Sequence, residues 1–197
     1  LVWSNIGCQL AIIDERTRMW WRCQDIRLCL DQIRQVLELD SKIRKLAQML
    51  YNKRSILVMG RGSNYATCLE GALKIKELTY LHAEGILSGE LKHGPLALVD
   101  SEIAIIMLIT RDGLFNKSLN ALHEVCARRG NPILICTEGD EDIFNCKNTT
   151  IAIPNTVDCL QSILAVIPLQ LLAFHIAVLR GLDVIGSPYH LADGVVL

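Results

Sequence analysis

The sequence predicts an α/β protein: a doubly wound, mostly parallel sheet with helices on both faces. Three observations carry that expectation. Short apolar runs at Ser55–Met59, Ile103–Ile109, Ile133–Cys136 and Thr149–Ile153 alternate with longer helical patterns, and strands separated by helices build parallel sheets covered on both sides. The first run breaks into Gly60-Arg61-Gly62-Ser63-Asn64 and then enters a helix, the order in which open α/β folds place ligands at strand C-termini. A chain of 197 residues with 51% hydrophobic content also suffices for one substantial core.

Taken in order, Leu1–Gln24 holds all three tryptophans (Trp3, Trp20, Trp21) and shows neither a helical nor a strand period. It lacks the basic-then-apolar order of a signal peptide, so residues 1–24 read as a leader set apart from a domain over 25–197. Ile26, Leu30, Ile33 and Leu37 recur at helical spacing, and a second stripe of Ile43, Leu46, Ala47 and Leu50 follows an Asp40-Ser41 cap signal. After the strand at 55–59 and the glycine turn, the pattern gives a helix over Asn64–Thr79, a loop-rich stretch to Pro95 and the strand at 103–109. A helix follows over Gly113–Arg129, with Phe115, Leu119, Leu122 and Cys126 facing inward. Gly130-Asn131-Pro132 stops it, the strand at 133–136 leads into an acidic loop (Glu138–Asp142), and the strand at 149–153 precedes a long apolar helix.

That last helix, Leu160–Leu179, is about one bilayer span long and carries no formal charge. Gln161, Gln170 and His175 nevertheless point in different directions around it and Pro168 interrupts it, so a buried central or interface helix is expected rather than a membrane span. A net charge of -1 offers no basic field for nucleic acid. The eight cysteines form no C-x-x-C pair and no histidine stands at zinc-ligand spacing. They read as reduced thiols of a cytoplasmic protein, with Cys68, Cys126 and Cys136 serving as small hydrophobes. Neither a metal nor a cofactor is expected.

Chemistry concentrates between Met59 and Asp100. Gly60 and Gly62 permit a sharp turn whose free N–H groups suit a phosphate, with Ser63 and Asn64 as added donors; an ordinary helix cap is the alternative. On the following helix Ala66, Leu69 and Leu73 form a buried stripe whose next member is Glu77. A carboxylate at the edge of a core suits a general base, and Lys74 on the same face suits an anionic intermediate. The alternatives are a surface pair of Lys74 with Glu70 and a solvated helix end at Glu77. Farther on, His93 is flanked by Glu90, Lys92 and a rigid Gly94-Pro95 turn, and His82 lies two residues from Glu84. Imidazole beside carboxylates is the arrangement best suited to moving protons near neutral pH.

The stretch CLEGALKIKELTYLHAEGILSGELKHGPLALVD, together with DCLQSILAVIPLQLLAFHIAVLRGLDV, resembles the second sugar-isomerase (SIS) half of the glutamine:fructose-6-phosphate aminotransferase family over about Asp25–Val184. The resemblance implies a SIS domain with an atypical tail from about 185. It implies a part in converting fructose-6-phosphate and glutamine-derived ammonia into glucosamine-6-phosphate. By position, Glu77 matches the base that moves a proton between C1 and C2, Lys74 its helical partner and His93 the ring-opening group. Gly60, Gly62, Ser63, His82, Glu84 and Glu90 are then candidate sugar-phosphate contacts. In the family the counterpart of His93 reaches a neighbouring subunit, which implies a homodimer. The family's glutaminase domain and first SIS half have no counterpart in these residues, which makes Gly60–Asn64 a vestigial phosphate turn. The family ending Pro-Arg-Asn-Leu-Ala-Lys stands here as Pro188-Tyr189-His190-Leu191-Ala192-Asp193, with Asp193 in place of an imine-forming lysine. A non-catalytic module for sugar-phosphate binding or dimerisation is the alternative reading.

Overall fold

The structure is a computed structural model that describes residues 23–144 and 148–184; the expectations for residues 1–22 and for the tail from 185 lie outside the described residues. Helices α1 (Cys23–Leu37) and α2 (Asp40–Leu50) precede β1 (Ser55–Gly60), α3 (Ser63–Thr79) and β2 (His82–Leu87). Two 3-10 segments, Ser88–His93 and Pro95–Leu98, lead to β3 (Ala104–Ile109) and α4 (Phe115–Ala127). Then come β4 (Ile133–Thr137), a short α5 (Glu141–Phe144), β5 (Thr150–Ile153) and α6 (Asp158–Leu179). The five strands lie in the order β2-β1-β3-β4-β5 and every neighbouring pair is parallel.

Strand residues alternate between two cores, as the period of two demands. Ile56, Val58, Ile106, Leu108, Ile135 and Ile151 face α1, α2, α3 and α6. Leu57, Met59, Ile105, Met107 and Leu134 face α4 and the 3-10 segments. The sheet is thus covered on both faces, which is why its central strands are continuous apolar runs. α6 belongs to the first core through Leu164, Leu169, Leu172 and Ile176. Two of its polar groups are paired within the protein: Gln161 donates to the Pro154 carbonyl at 3.2 Å and accepts from the Thr156 N–H at 3.0 Å, and His175 Nε2 meets Asp40 Oδ1 at 2.6 Å.

Several expectations need correction. The stretch 82–87 is a strand rather than loop; β2 is one edge of the sheet, and its exposed His82 and Glu84 break the apolar run that marks the inner strands. The acidic loop runs into the single turn α5, which begins at Glu141. On α1 the buried side is Cys29, Gln32 and Val36, while Leu30 and Leu37 are exposed. Inside, the Gln32 amide N–H donates to the Asn155 carbonyl at 2.8 Å, while its Oε1 has no partner among the described residues. Asp40 does not cap α2, whose first turn has no side-chain cap bond; its carboxylate goes to His175 instead. On α3 the stripe Ala66, Leu69, Leu73 is only half-buried, and the inward face is Cys68, Ala72, Ile75 and Leu78.

Candidate active-site half on helix α3

Glycine begins the site for packing reasons. A Cβ at Gly60 would stand 2.6 Å from Cys68 Sγ and 2.8 Å from the Asn64 carbonyl oxygen, so β1 and α3 meet at a distance that admits no side chain. Gly62 adopts φ 59°, a conformation that favours glycine, and a Cβ there would meet Leu114 at 2.8 Å. Asn64 is buried and its amide donates to Thr110 Oγ1 at 2.7 Å, tying the start of α3 to the end of β3.

Between β1 and β3 the chain reverses its winding, the place where doubly wound sheets hold ligands. Here that crevice is lined by Ser63, Thr110, Arg111, Asp112, Asp158 and Gln161 and encloses only about 10 Å³, room for about one water molecule. Two carboxylates face it. Its one cation, Arg111, is already held by Asp140 at 2.6 Å and Asp142 at 2.9 Å and lies 4.1 Å over the Phe115 ring. Those two carboxylates raise the Arg111 guanidinium further above its usual range.

The other half of α3 is differently built. Lys74 Nζ donates to Glu77 Oε2 at 3.0 Å and lies 3.7 Å from Glu70 Oε1. The Lys74 and Glu70 side chains are 6% and 8% exposed, whereas that of Glu77 is 24% exposed. An ammonium is therefore fixed between a buried carboxylate and one that keeps an open face. Fixed charge in a partly dry setting acts on a bound ligand without first having to reorganise. Residue type and spacing single out Lys74 and Glu77, whereas Glu70 reads from the sequence only as a surface partner of Lys74. The i, i+4, i+7 spacing of Glu70, Lys74 and Glu77 puts all three on one helical strip, and only the packing reveals that the strip is buried.

The remaining candidates are dispersed. Ser63 and Glu77 are fourteen residues apart on one helix, about 21 Å along its axis. His82 lies at the same end of the sheet as Glu77, where its Nδ1 is 2.7 Å from Ser55 Oγ. Glu84 is exposed on the edge strand. Glu90 and His93 are exposed on the 3-10 segment beyond the opposite end of β2, a strand about 17 Å long. Within one chain, His93 and Glu77 therefore do not share a site. The buried cysteines are chemically quiet: desolvation pushes the Cys68 thiol well up and the Cys136 thiol up to about 12.

The SIS domain family model matches residues 49–180. Glutamine-fructose-6-phosphate aminotransferase (isomerizing) 1 of Rattus norvegicus is 55% identical over 98% of this chain, and the chain spans 29% of that protein. The isomerizing aminotransferase of Saccharomyces cerevisiae is 48% identical over 95% of the chain and 26% of its own length. Among solved structures, the C-terminal domain of glucosamine-fructose-6-phosphate aminotransferase from Francisella tularensis superposes with a TM-score of 0.78 at 36% identity, covering 82% of this chain and 45% of that one. The chain thus spans less than a third of the curated relatives it matches.

Proposed function

Since this chain belongs to the SIS domain family, we propose that it is the distal sugar-isomerase half of an isomerising glutamine:fructose-6-phosphate aminotransferase. Glu77 is the base that carries a proton between C1 and C2 of the open-chain sugar. Lys74 neutralises the negative charge that builds on the enediolate oxygens. Glu70, 3.7 Å from the ammonium, positions Lys74. The observation that carries this reading is the Glu70-Lys74-Glu77 strip: a carboxylate with one open face, oriented by an ammonium 3.0 Å away that is itself shielded from water.

The sugar phosphate is held mainly by a first SIS half, because the crevice at the switch point of this half is small and lined by Asp112 and Asp158. The glycine turn then keeps its shape without its phosphate, and Gly60, Gly62 and Ser63 serve packing. His93 opens the sugar ring in the site of a second copy, a role supported by its distance from Glu77 within one chain and its exposure. A homodimer completes the site, with His82, Glu84 and Glu90 lying where neighbouring chains meet the sugar.

The test is to mix the 197-residue chain with a separately supplied first SIS half and measure conversion of fructose-6-phosphate to glucose-6-phosphate. Glu77→Gln lowers turnover by about a hundredfold or more and leaves sugar binding intact; retained turnover rejects the role. A second reading, a non-catalytic dimerisation or sugar-phosphate-binding module, is favoured by Asp193, since a carboxylate cannot form the imine that a lysine would. Absence of turnover in the wild-type mixture, with dimerisation retained, selects it.

A further inference from the structure

At the C-terminal edge of the sheet, on the face opposite α3, a second cavity of about 230 Å³ opens between the β1 turn, the segment after β2 and α4. It is separate from the switch-point crevice and from the Lys74 strip. Arg61, Ser88, Gly89, Lys92, Lys117 and Glu124 line it. Lys117 and Glu124 stand seven residues apart on one face of α4, so three separate elements deliver their charges to one spot. Lys92 Nζ is neutralised by Glu124 Oε1 at 3.0 Å. Arg61 and Lys117 make no ion pair among the described residues, which leaves the cavity with an excess of two positive charges.

Two further features shape it. Arg61 is half-buried, and its guanidinium lies so close over Gly89 that a Cβ there would be 3.3 Å from Cζ, Nη1 and Nη2. The guanidinium thus packs directly against the Gly89 backbone. Ser88 is 5% exposed and its Oγ is shut from water with no hydrogen-bond partner among the described residues, an arrangement that buried hydroxyls seldom keep. Two cations without ion-pair partners among the described residues, one of them a guanidinium fork, suit a tetrahedral dianion. The volume falls below that of pockets for drug-sized ligands, roughly 300–1,000 Å³.

We propose that this cavity binds a phosphomonoester, with Arg61 forked onto two phosphate oxygens and Lys117 on a third, over a floor that includes Ser88. Lys92 and Glu124 form the rim. The site is independent of the Glu77 chemistry, and it adjoins His93, the residue after Lys92.

The experiment titrates the 197-residue chain, in phosphate-free buffer at low salt, with inorganic phosphate and separately with fructose-6-phosphate, following binding by calorimetry and by phosphorus NMR. Saturable binding is expected, weakened by about tenfold or more in Arg61→Ala/Lys117→Ala. Loss of binding on substituting Arg61 and Lys117, neither of which belongs to the Glu70-Lys74-Glu77 strip, separates this site from the proposed isomerase strip. Lys117→Glu alone, at an exposed helical position, repeats the test if the double variant fails to fold. Tighter binding of the hexose ester assigns the sugar phosphate as the source, and equal binding assigns free phosphate; both uphold the site. No saturable binding of either ligand, or wild-type affinity in the Arg61/Lys117 variants, overturns it.

Discussion

The two ends of helix α3 invert what the fold leads one to expect of them. Its N-terminal end has the glycine turn and the switch-point position at which α/β sheets ordinarily bind, yet the space there is small and faced by Asp112 and Asp158. The C-terminal half lies against α6 in a helical layer, a place that ordinarily holds apolar residues, yet it buries Glu70 and Lys74 beside a half-open Glu77. A glycine turn thus reports the sharp path of a backbone, whereas buried charge costs free energy that packing alone gives no reason to spend. Of the two, the second is the stronger pointer to chemistry.

Breaking the charged strip has the largest expected effect. Lys74→Met leaves Glu70 buried without its cation and is expected to lower unfolding free energy by about 3 kcal/mol, as measured by urea denaturation. Adding Glu70→Gln to that variant restores most of the loss, because the orphaned charge is gone. A single variant no less stable than wild type would show that Glu70 escapes to water and that the strip is not a fixed unit.

At the other end, Gly60→Ala forces a methyl group to within 2.6 Å of Cys68 Sγ and is expected to cost about 1–3 kcal/mol by overpacking. Its affinity for fructose-6-phosphate, measured in the mixture with a first SIS half, stays at the wild-type value. A selective loss of affinity with stability retained would return the turn to the binding site. Ser63→Ala gives the smallest change, within about 0.5 kcal/mol in stability, with no change in turnover of that mixture.

The comparison also explains what a reader of the sequence can and cannot see. β1, β3 and β4 are legible because inner strands covered on both faces become unbroken apolar runs, and β5, at one edge, because Ile151 and Ile153 keep the alternation of a strand. The edge strand β2 is not, since solvent at its open side admits His82 and Glu84 and the run is lost. α1 misleads for the opposite reason: Leu28, Leu30 and Leu37 are exposed, and Gln32 is inside, its amide N–H donating to the Asn155 carbonyl. Lys74 and Glu77 stand out by residue type and spacing, but the part played by Glu70 does not. Charges four apart on a helix usually mark a wet surface, and only the tertiary neighbours make this pair dry.

Finally, the clamp between Asp40 and His175 and the bond from Gln32 to the Asn155 carbonyl tie α1 and most of α2, which lie ahead of the family match at 49–180, to the far end of the chain. Ile43, Leu46 and Ala47 are fully integrated into the core that α6 completes. Trimming the polypeptide to the limits of that match would strip one wall from α6 and lay bare an uncharged, greasy surface. Such a truncate would clump or adhere to detergent and lipid, mimicking a membrane protein for no reason but a misplaced cut.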